Sequence, residues 1–165
     1  MNYYELIKNL DDFFKLISDN VEGVEYSETF SLRNKPIIGN WADPSNLPVP
    51  YVGDGIGNKS GIYFFATEEC NVLYIGKAAK NNLHQRIWDH IQTPGPLENG
   101  WRKFPKCKFD VQGAEDYCQL VREGRVKVGI ISISPSFVAP LVEVYLQTIY
   151  FSQAKKLPPL CKQIG

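Results

Sequence analysis

The stretch "GIYFFATEECNVLYIGKA", from Gly61 to Ala78, predicts the part of the fold around which the other elements pack. Two short runs rich in β-branched and aromatic residues flank the polar connection "TEECN", and this order is typical of a β-hairpin. Each run carries one Gly, one Ile and one Tyr, and the second ends in a Gly-Lys pair. The hairpin therefore brings Tyr63, Tyr74 and Lys77 close together. The tyrosines are either ordinary strand aromatics or members of a site.

A helix should follow the hairpin, because the segment "AKNNLHQRIWDHI" has an apolar stripe at i, i+4, i+8 spacing. The stripe consists of Leu83, Ile87 and Ile91. Arg86 and His90 are also four residues apart and lie on an adjacent face, either as site residues or as part of a solvated helix surface. The next segment, residues 92–113, is rich in Pro, Gly, Lys and aromatic residues and predicts an irregular excursion.

The last third of the chain predicts a helix, a strand and a second helix. "AEDYCQLVREG" suits a short helix that ends at Gly124, and "RVKVGIISIS" is a β-branched, apolar strand. "PLVEVYLQTIYFSQAKK" suits a helix with Pro140 in its first turn. The strand should join the hairpin, because its apolar surface is buried only in that way. We therefore expect an α/β fold with a small, three-stranded, mainly antiparallel sheet flanked by helices.

The N-terminal part of the chain has a different pattern. Residues 3–17 carry apolar side chains at helical spacing and predict an amphipathic helix. Residues 19–60 contain four prolines and several glycines and predict an irregular arm, with one short strand near Glu25–Leu32. The chain is therefore expected to divide into a helical and irregular extension, residues 1–59, and a compact domain, residues 60–165.

Composition and cysteine spacing exclude several classes of protein. No apolar run approaches the roughly 18 residues of a membrane-spanning helix, and the acidic N-terminal segment does not suit a signal peptide. We therefore expect a cytoplasmic protein without a membrane partner. The four cysteines lack the spacing of a metal knuckle and are expected to be reduced, structural thiols. They are Cys70, Cys107, Cys118 and Cys161.

The net charge is zero, but the charges are unevenly distributed. Residues 1–60 contain five basic and nine acidic residues, whereas residues 61–165 contain thirteen basic and nine acidic ones. Between Lys77 and Lys108, seven basic residues accompany two acidic ones. A basic stretch of this kind is either the electrostatic footprint of a nucleic acid or a solvated surface.

Glu143 stands out in the last predicted helix, because its neighbours in sequence are apolar. A carboxylate in such surroundings needs a cation, hydrogen-bond donors or a metal ion as its partner. The alternative is a glutamate in the first helical turn that the helix dipole stabilises.

Taken together, these segments resemble the GIY-YIG nuclease family over roughly residues 60–163. The matching positions are Gly61-Ile62-Tyr63, Tyr74-Ile75-Gly76 followed by Lys77, the Leu-x-x-Arg-x-x-x-His helix at Leu83, Arg86 and His90, and the late-helix acid at Glu143. One position departs from the pattern, since Cys161 lies where many members of the family carry an asparagine. A thiol cannot offer the two donors and the strong acceptor of an amide.

The resemblance implies DNA as the partner and hydrolysis of its phosphodiester bonds with one divalent metal ion, Mg²⁺ or Mn²⁺. Glu143 would hold the metal ion, which suits a single carboxylate that is completed by water and substrate oxygens. Arg86 would clamp phosphate oxygens with its planar guanidinium group.

The remaining matched residues are expected to handle the proton of the attacking water. Tyr63 would orient or deprotonate that water, with Lys77 and the metal ion lowering its pKa from about 10. Tyr74 and His90 would hydrogen-bond the scissile group or relay a proton.

Two alternatives remain open. The first is a non-catalytic nucleic-acid-binding module that keeps the fold; Cys161 and the zero net charge favour it, whereas the retained site residues argue against it. The second is a partner-binding protein whose acidic N-terminal arm forms the interface.

Overall fold

The computed structural model describes residues 1–30, 58–91, 95–96, 102–103, 109, 111–122 and 125–165. Its helices are α1 (Tyr3–Leu6), α2 (Leu10–Ser18), α3 (Leu83–Ile91), α4 (Glu115–Arg122) and α5 (Ala139–Ala154), and a 3₁₀ turn (Ser136–Val138) precedes α5. Its strands are β1 (Glu25–Phe30), β2 (Gly61–Ala66), β3 (Val72–Ala78), β4 (Gly95–Pro96), β5 (Arg102–Lys103) and β6 (Lys127–Ser134). The predicted hairpin, late strand and final helix are all present within these bounds.

The main sheet has four antiparallel strands in the order β1-β6-β2-β3, so the prediction of three strands was wrong by one. The additional strand, β1, pairs with β6 along its whole length and falls within the short strand predicted in the N-terminal arm. Four of the six residues in "EYSETF" are polar, so the sequence did not mark β1 as part of the sheet. It joins the sheet because β6 is apolar on both faces and has a second edge to pair.

Both faces of the sheet are covered, and every residue of the central strand β2 is buried. Because side chains alternate along a strand, Tyr63 and Phe65 point to one face while Ile62 and Phe64 point to the other. The first face packs against residues of α3 and α4 and against Phe109. The second face packs against α1, α2 and α5.

The N-terminal helical segment forms part of this second layer. The single helix predicted over residues 3–17 is divided into α1 and α2, and a capping box of Asn2 and Glu5 begins α1. The buried residues of the two helices keep the predicted spacing; they are Tyr3, Leu6, Leu10, Phe14 and Ile17. Residues 1–30 thus share a sheet and a core with the hairpin. The proposed boundary at residues 59 and 60 stays a prediction, because residues 31–57 lie outside the described residues.

None of the helices in the described part of the chain combines the length and the apolar character that a membrane crossing requires.

The contribution of α2 to the core can be measured with two point variants. Phe14 is 2% exposed and Leu16 is 62% exposed, because the two residues lie on opposite faces of the same helix. We expect Phe14→Ala to lower the free energy of unfolding by about 3–5 kcal/mol, because it leaves a cavity in the layer under the sheet. Leu16→Ala should change it by about 0.5 kcal/mol or less. Urea unfolding of both variants checks this, and equal effects would mean that α2 does not belong to the core.

Candidate active site

The two glycines of the hairpin make room for the tyrosines and for the neighbouring strand. Tyr63 and Gly76 are direct partners across β2 and β3. A Cβ atom on Gly76 would lie 2.7 Å from the hydroxyl oxygen of Tyr63 and 2.5 Å from Cε1 of Tyr74. A Cβ atom on Gly61 would lie 2.0 Å from the carbonyl oxygen of Ile131 in β6. Close packing therefore requires glycine at both positions, and the two tyrosine rings lie on one face of the sheet.

Helix α3 places a cation and an imidazole next to these rings. Leu83 and Ile87 are fully buried and fix the helix on the sheet, as their spacing predicted. Arg86 and His90 are half-buried on the adjacent side. The Nε2 atom of His90 lies 2.7 Å from the hydroxyl oxygen of Tyr63, which is a hydrogen bond.

Phe109 is a residue of this cluster that the sequence did not identify. Its ring is stacked on His90 with a centroid distance of 4.8 Å and an interplanar angle of 4°, and it lies 5.0 Å from the ring of Tyr74. Phe109 belongs to the segment predicted as an irregular excursion, where no apolar period indicated a buried position. A single aromatic residue among lysines and an aspartate was its only signal.

Burial keeps both tyrosines protonated. Tyr63 is 0% exposed, and this burial holds the pKa of its phenol far above the usual value, although the charge of Arg86 acts to lower it. Burial also raises the pKa of Tyr74 to about 12. The two rings are in contact, with a centroid distance of 5.8 Å, and the proximity of Tyr74 raises the pKa of Tyr63 further. Of the two cations assigned to the site, Arg86 is the one that acts on Tyr63.

Lys77 instead binds Glu143. Lys77 alternates with Gly76 along β3, so it lies on the face of the sheet that α5 covers. Its Nζ atom donates to Oε2 of Glu143, whose residue is only 5% exposed. Glu143 is the fifth residue of α5 and lies beyond its first turn, so the ion pair with Lys77, and not the helix dipole, is the partner that its burial requires.

Cys161 supports β3 from the C-terminal segment. Its Sγ atom accepts a hydrogen bond from the amide of Ile75 at 3.5 Å and lies 3.7 Å from the carbonyl oxygen of the same residue. Burial raises the pKa of the thiol to about 12, so Cys161 stays protonated. No disulfide bond joins Cys70 or Cys161 to another described residue, and Cys107 lies outside the described residues.

A cavity of about 410 Å³ lies beside these groups. Three of the six predicted site residues line it: Tyr74 from β3, His90 from α3 and Glu143 from α5. The other three do not line it. Tyr63 is buried behind His90 and Tyr74, Lys77 holds the carboxylate of Glu143, and Arg86 lies close enough to both tyrosines to influence their ionisation.

Within the described residues, no group of three or more His, Cys, Asp or Glu side chains is arranged to bind a metal ion. A magnesium ion that takes most of its ligands from water and substrate needs fewer protein groups. Glu143 fits that requirement, because it lines the cavity and its Oε1 atom has no hydrogen-bond partner in the described part of the chain. The donor set is a single oxygen-bearing side chain, which suits Mg²⁺ or Mn²⁺ better than zinc.

Comparison of this chain with protein-family models, with curated proteins and with solved structures finds no match.

The packing around Gly76 leads to a prediction about its substitution. Gly76→Ala should lower the free energy of unfolding by about 1–3 kcal/mol, because the new methyl group overlaps two rings that have no room to move. It should also alter the near-ultraviolet circular dichroism of the tyrosines. Gly113→Ala is the control, since nothing lies within 4 Å of its Cβ position and only its φ of +78° opposes the change. An unaltered tyrosine signal in Gly76→Ala would contradict the packing described here.

Proposed function

We propose that this protein is a metal-dependent endonuclease that hydrolyses phosphodiester bonds of DNA. The observation that carries the proposal is the convergence of Tyr74, His90 and Glu143 on one cavity, although they come from three different elements. Arg86 lies near the same rings. Phosphodiester hydrolysis needs groups that transfer a proton, a cation that binds the phosphate and a carboxylate that binds a metal ion.

Arg86 is the residue that binds the phosphate in this proposal. It is half-buried and makes no ion pair with another described residue, so its guanidinium group is available to an anion. A planar guanidinium group bonds two phosphate oxygens at once and stabilises the charge that develops on them. The basic stretch between Lys77 and Lys108 supports a polyanionic substrate, although most of it lies outside the described residues.

The three rings Tyr74, Tyr63 and His90 form a path for the proton of the attacking water. Tyr74 lines the cavity and can touch that water, whereas Tyr63 is enclosed and contacts Tyr74 on one side and His90 on the other. Neither phenol ionises by itself near neutral pH, because burial raises both pKa values. A concerted shift avoids a free phenolate: Tyr74 takes a proton from water as it gives its own to Tyr63, Tyr63 gives its own to Nε2 of His90, and the water is left as the attacking hydroxide.

This assignment changes the role expected of Tyr63. The sequence interpretation makes it the group that contacts water, with its pKa lowered by Lys77. In the proposal Tyr63 is an enclosed relay, and Lys77 orients the carboxylate of Glu143 towards the cavity. With Mg²⁺ or Mn²⁺ bound at Glu143, the metal ion would polarise the phosphate and stabilise the leaving oxygen.

A cleavage assay with supercoiled plasmid and with single-stranded DNA, with and without Mg²⁺, tests the function. We expect products only with the metal ion. Glu143→Gln should reduce cleavage below detection while DNA binding persists or tightens, because a negative charge near the phosphate is removed. Glu69→Gln, an exposed residue in the hairpin turn, is the matched control and should cleave at the parental rate.

The outcomes of this assay separate the alternatives. DNA binding without cleavage in the parental protein would identify the non-catalytic binding module. Absence of salt-dependent DNA binding would favour the partner-binding protein. Full cleavage by Glu143→Gln, together with a lower melting temperature, would show that Glu143 serves only as the partner of Lys77.

Arg86→Ala should reduce cleavage by two or more powers of ten, roughly the scale for losing a donor to the transition state. The fold should persist, because the buried side of α3 is formed by Leu83 and Ile87. Arg125→Ala is the matched control: Arg125 is exposed, pairs with Glu68 at 3.8 Å and should be dispensable for cleavage. Thermal melting of Arg86→Ala must be measured beside its cleavage rate. A lower melting temperature, or cleavage at the parental rate, would contradict the assignment of Arg86 to phosphate binding.

A further inference from the structure

The cavity beside Glu143 is larger than the proposed chemistry requires. Its volume of about 410 Å³ lies within the range of roughly 300–1,000 Å³ typical of pockets that enclose an organic ligand. A hydrated metal ion and one phosphate group fill only part of this volume. The remaining space can hold a further part of the substrate.

Gln147 and Cys161 contribute uncharged polar groups to the lining of the cavity, and most of their hydrogen-bonding atoms are already paired. The amide of Gln147 donates from Nε2 to the carbonyl oxygen of Ile75 at 3.1 Å, and its Oε1 atom accepts from the backbone amide of Gly165 at 2.7 Å. The thiol of Cys161 bonds to the backbone of Ile75. These groups carry no charge, so a phosphate group enclosed beside them alone would lack a counter-charge and its burial would be costly.

The walls are flat and apolar. Tyr74, Phe109, Val111 and Leu160 contribute aromatic and aliphatic surface, and the stacked pair of His90 and Phe109 stiffens one side. Charged groups lie elsewhere on the lining, at Glu143 and Lys162. The lining thus has a flat, neutral part, formed by these aromatic and aliphatic side chains, together with a few charged groups, and a ligand that fits it must combine the same two characters.

We infer that the neutral part of this cavity is a pocket for the base of a nucleotide whose phosphate lies by Arg86 and Glu143. This inference rests on the proposed function and narrows its substrate. A base that is paired and stacked inside a duplex cannot enter a side pocket, so the nucleotide must be unpaired or turned out of the helix. The substrate class is therefore DNA with an unpaired nucleotide next to the scissile phosphate, as in single strands, bulges or mismatches.

Direct binding tests the pocket without requiring cleavage. Thymidine 5′-monophosphate should bind at least about tenfold more tightly than 2-deoxyribose 5-phosphate, because only the former has a base to stack on the walls. Val111→Phe should narrow the pocket and remove this preference, while leaving the binding of the sugar phosphate unchanged. Val21→Phe, at a half-buried position in the other core layer, is the control. Equal affinities of the parental protein for the two ligands would overturn the inference.

Cleavage assays then separate this inference from the proposed function. We expect a duplex with one unpaired nucleotide to be cleaved at least about tenfold faster than the same duplex fully paired, as the cost of unstacking is removed. In Val111→Phe, the duplex with an unpaired nucleotide should no longer be cleaved faster than the paired duplex. The faster cleavage should return when that nucleotide is replaced by an abasic site, which has no base to enter the narrowed pocket. Equal cleavage of paired and unpaired duplexes would overturn the base pocket and leave the endonuclease intact. Preferential binding of the nucleotide without cleavage of any DNA would overturn the endonuclease and leave the pocket.

Discussion

The close approach of β2 to both of its neighbours is the constraint on which the rest of the structure depends. At Gly61 the backbone of β6 occupies the space of a side chain, and at Gly76 two tyrosine rings occupy it. These contacts fix the register that places Tyr63 opposite Gly76. With that register set, one face of the sheet presents a cluster of rings to α3, and the other presents Phe64 and mainly aliphatic residues to α1, α2 and α5.

Strand β3 then connects the two halves of the candidate site. Because neighbouring side chains alternate, Tyr74 joins the ring cluster on one face while Lys77 reaches Glu143 on the other. The ion pair satisfies a carboxylate that is nearly enclosed, and Gln147 and Cys161 bond to the backbone of the same strand. Glu143 therefore has a defined position relative to Tyr74 and His90 before any ligand enters the cavity.

The physical character of the site follows from this enclosure. The same burial that raises the pKa of Tyr63 and Tyr74 keeps both phenols protonated. In such surroundings a proton moves along existing hydrogen bonds and not through a stable ion. The proposed base pocket depends on the same packing, since uncharged aromatic and aliphatic side chains accept a flat, neutral group more readily than a charged one. The proposed proton transfer and the proposed selection of an unpaired nucleotide therefore depend on the same packing of side chains.

The sequence by itself determined the hairpin, the helices α3 and α5 and the positions of the matched residues, because these features depend on local periods and short spacings. The tertiary structure decided everything that joins distant segments. In the folded protein β1 pairs with the open edge of β6, and the ring of Phe109 stacks on His90. Lys77 forms its ion pair with Glu143, which is 66 positions away in the chain. The tertiary structure also enclosed Tyr63, although its sequence neighbours could equally belong to an accessible strand. Local pattern indicates which face a residue occupies, but packing between elements decides what covers that face and which charge it meets.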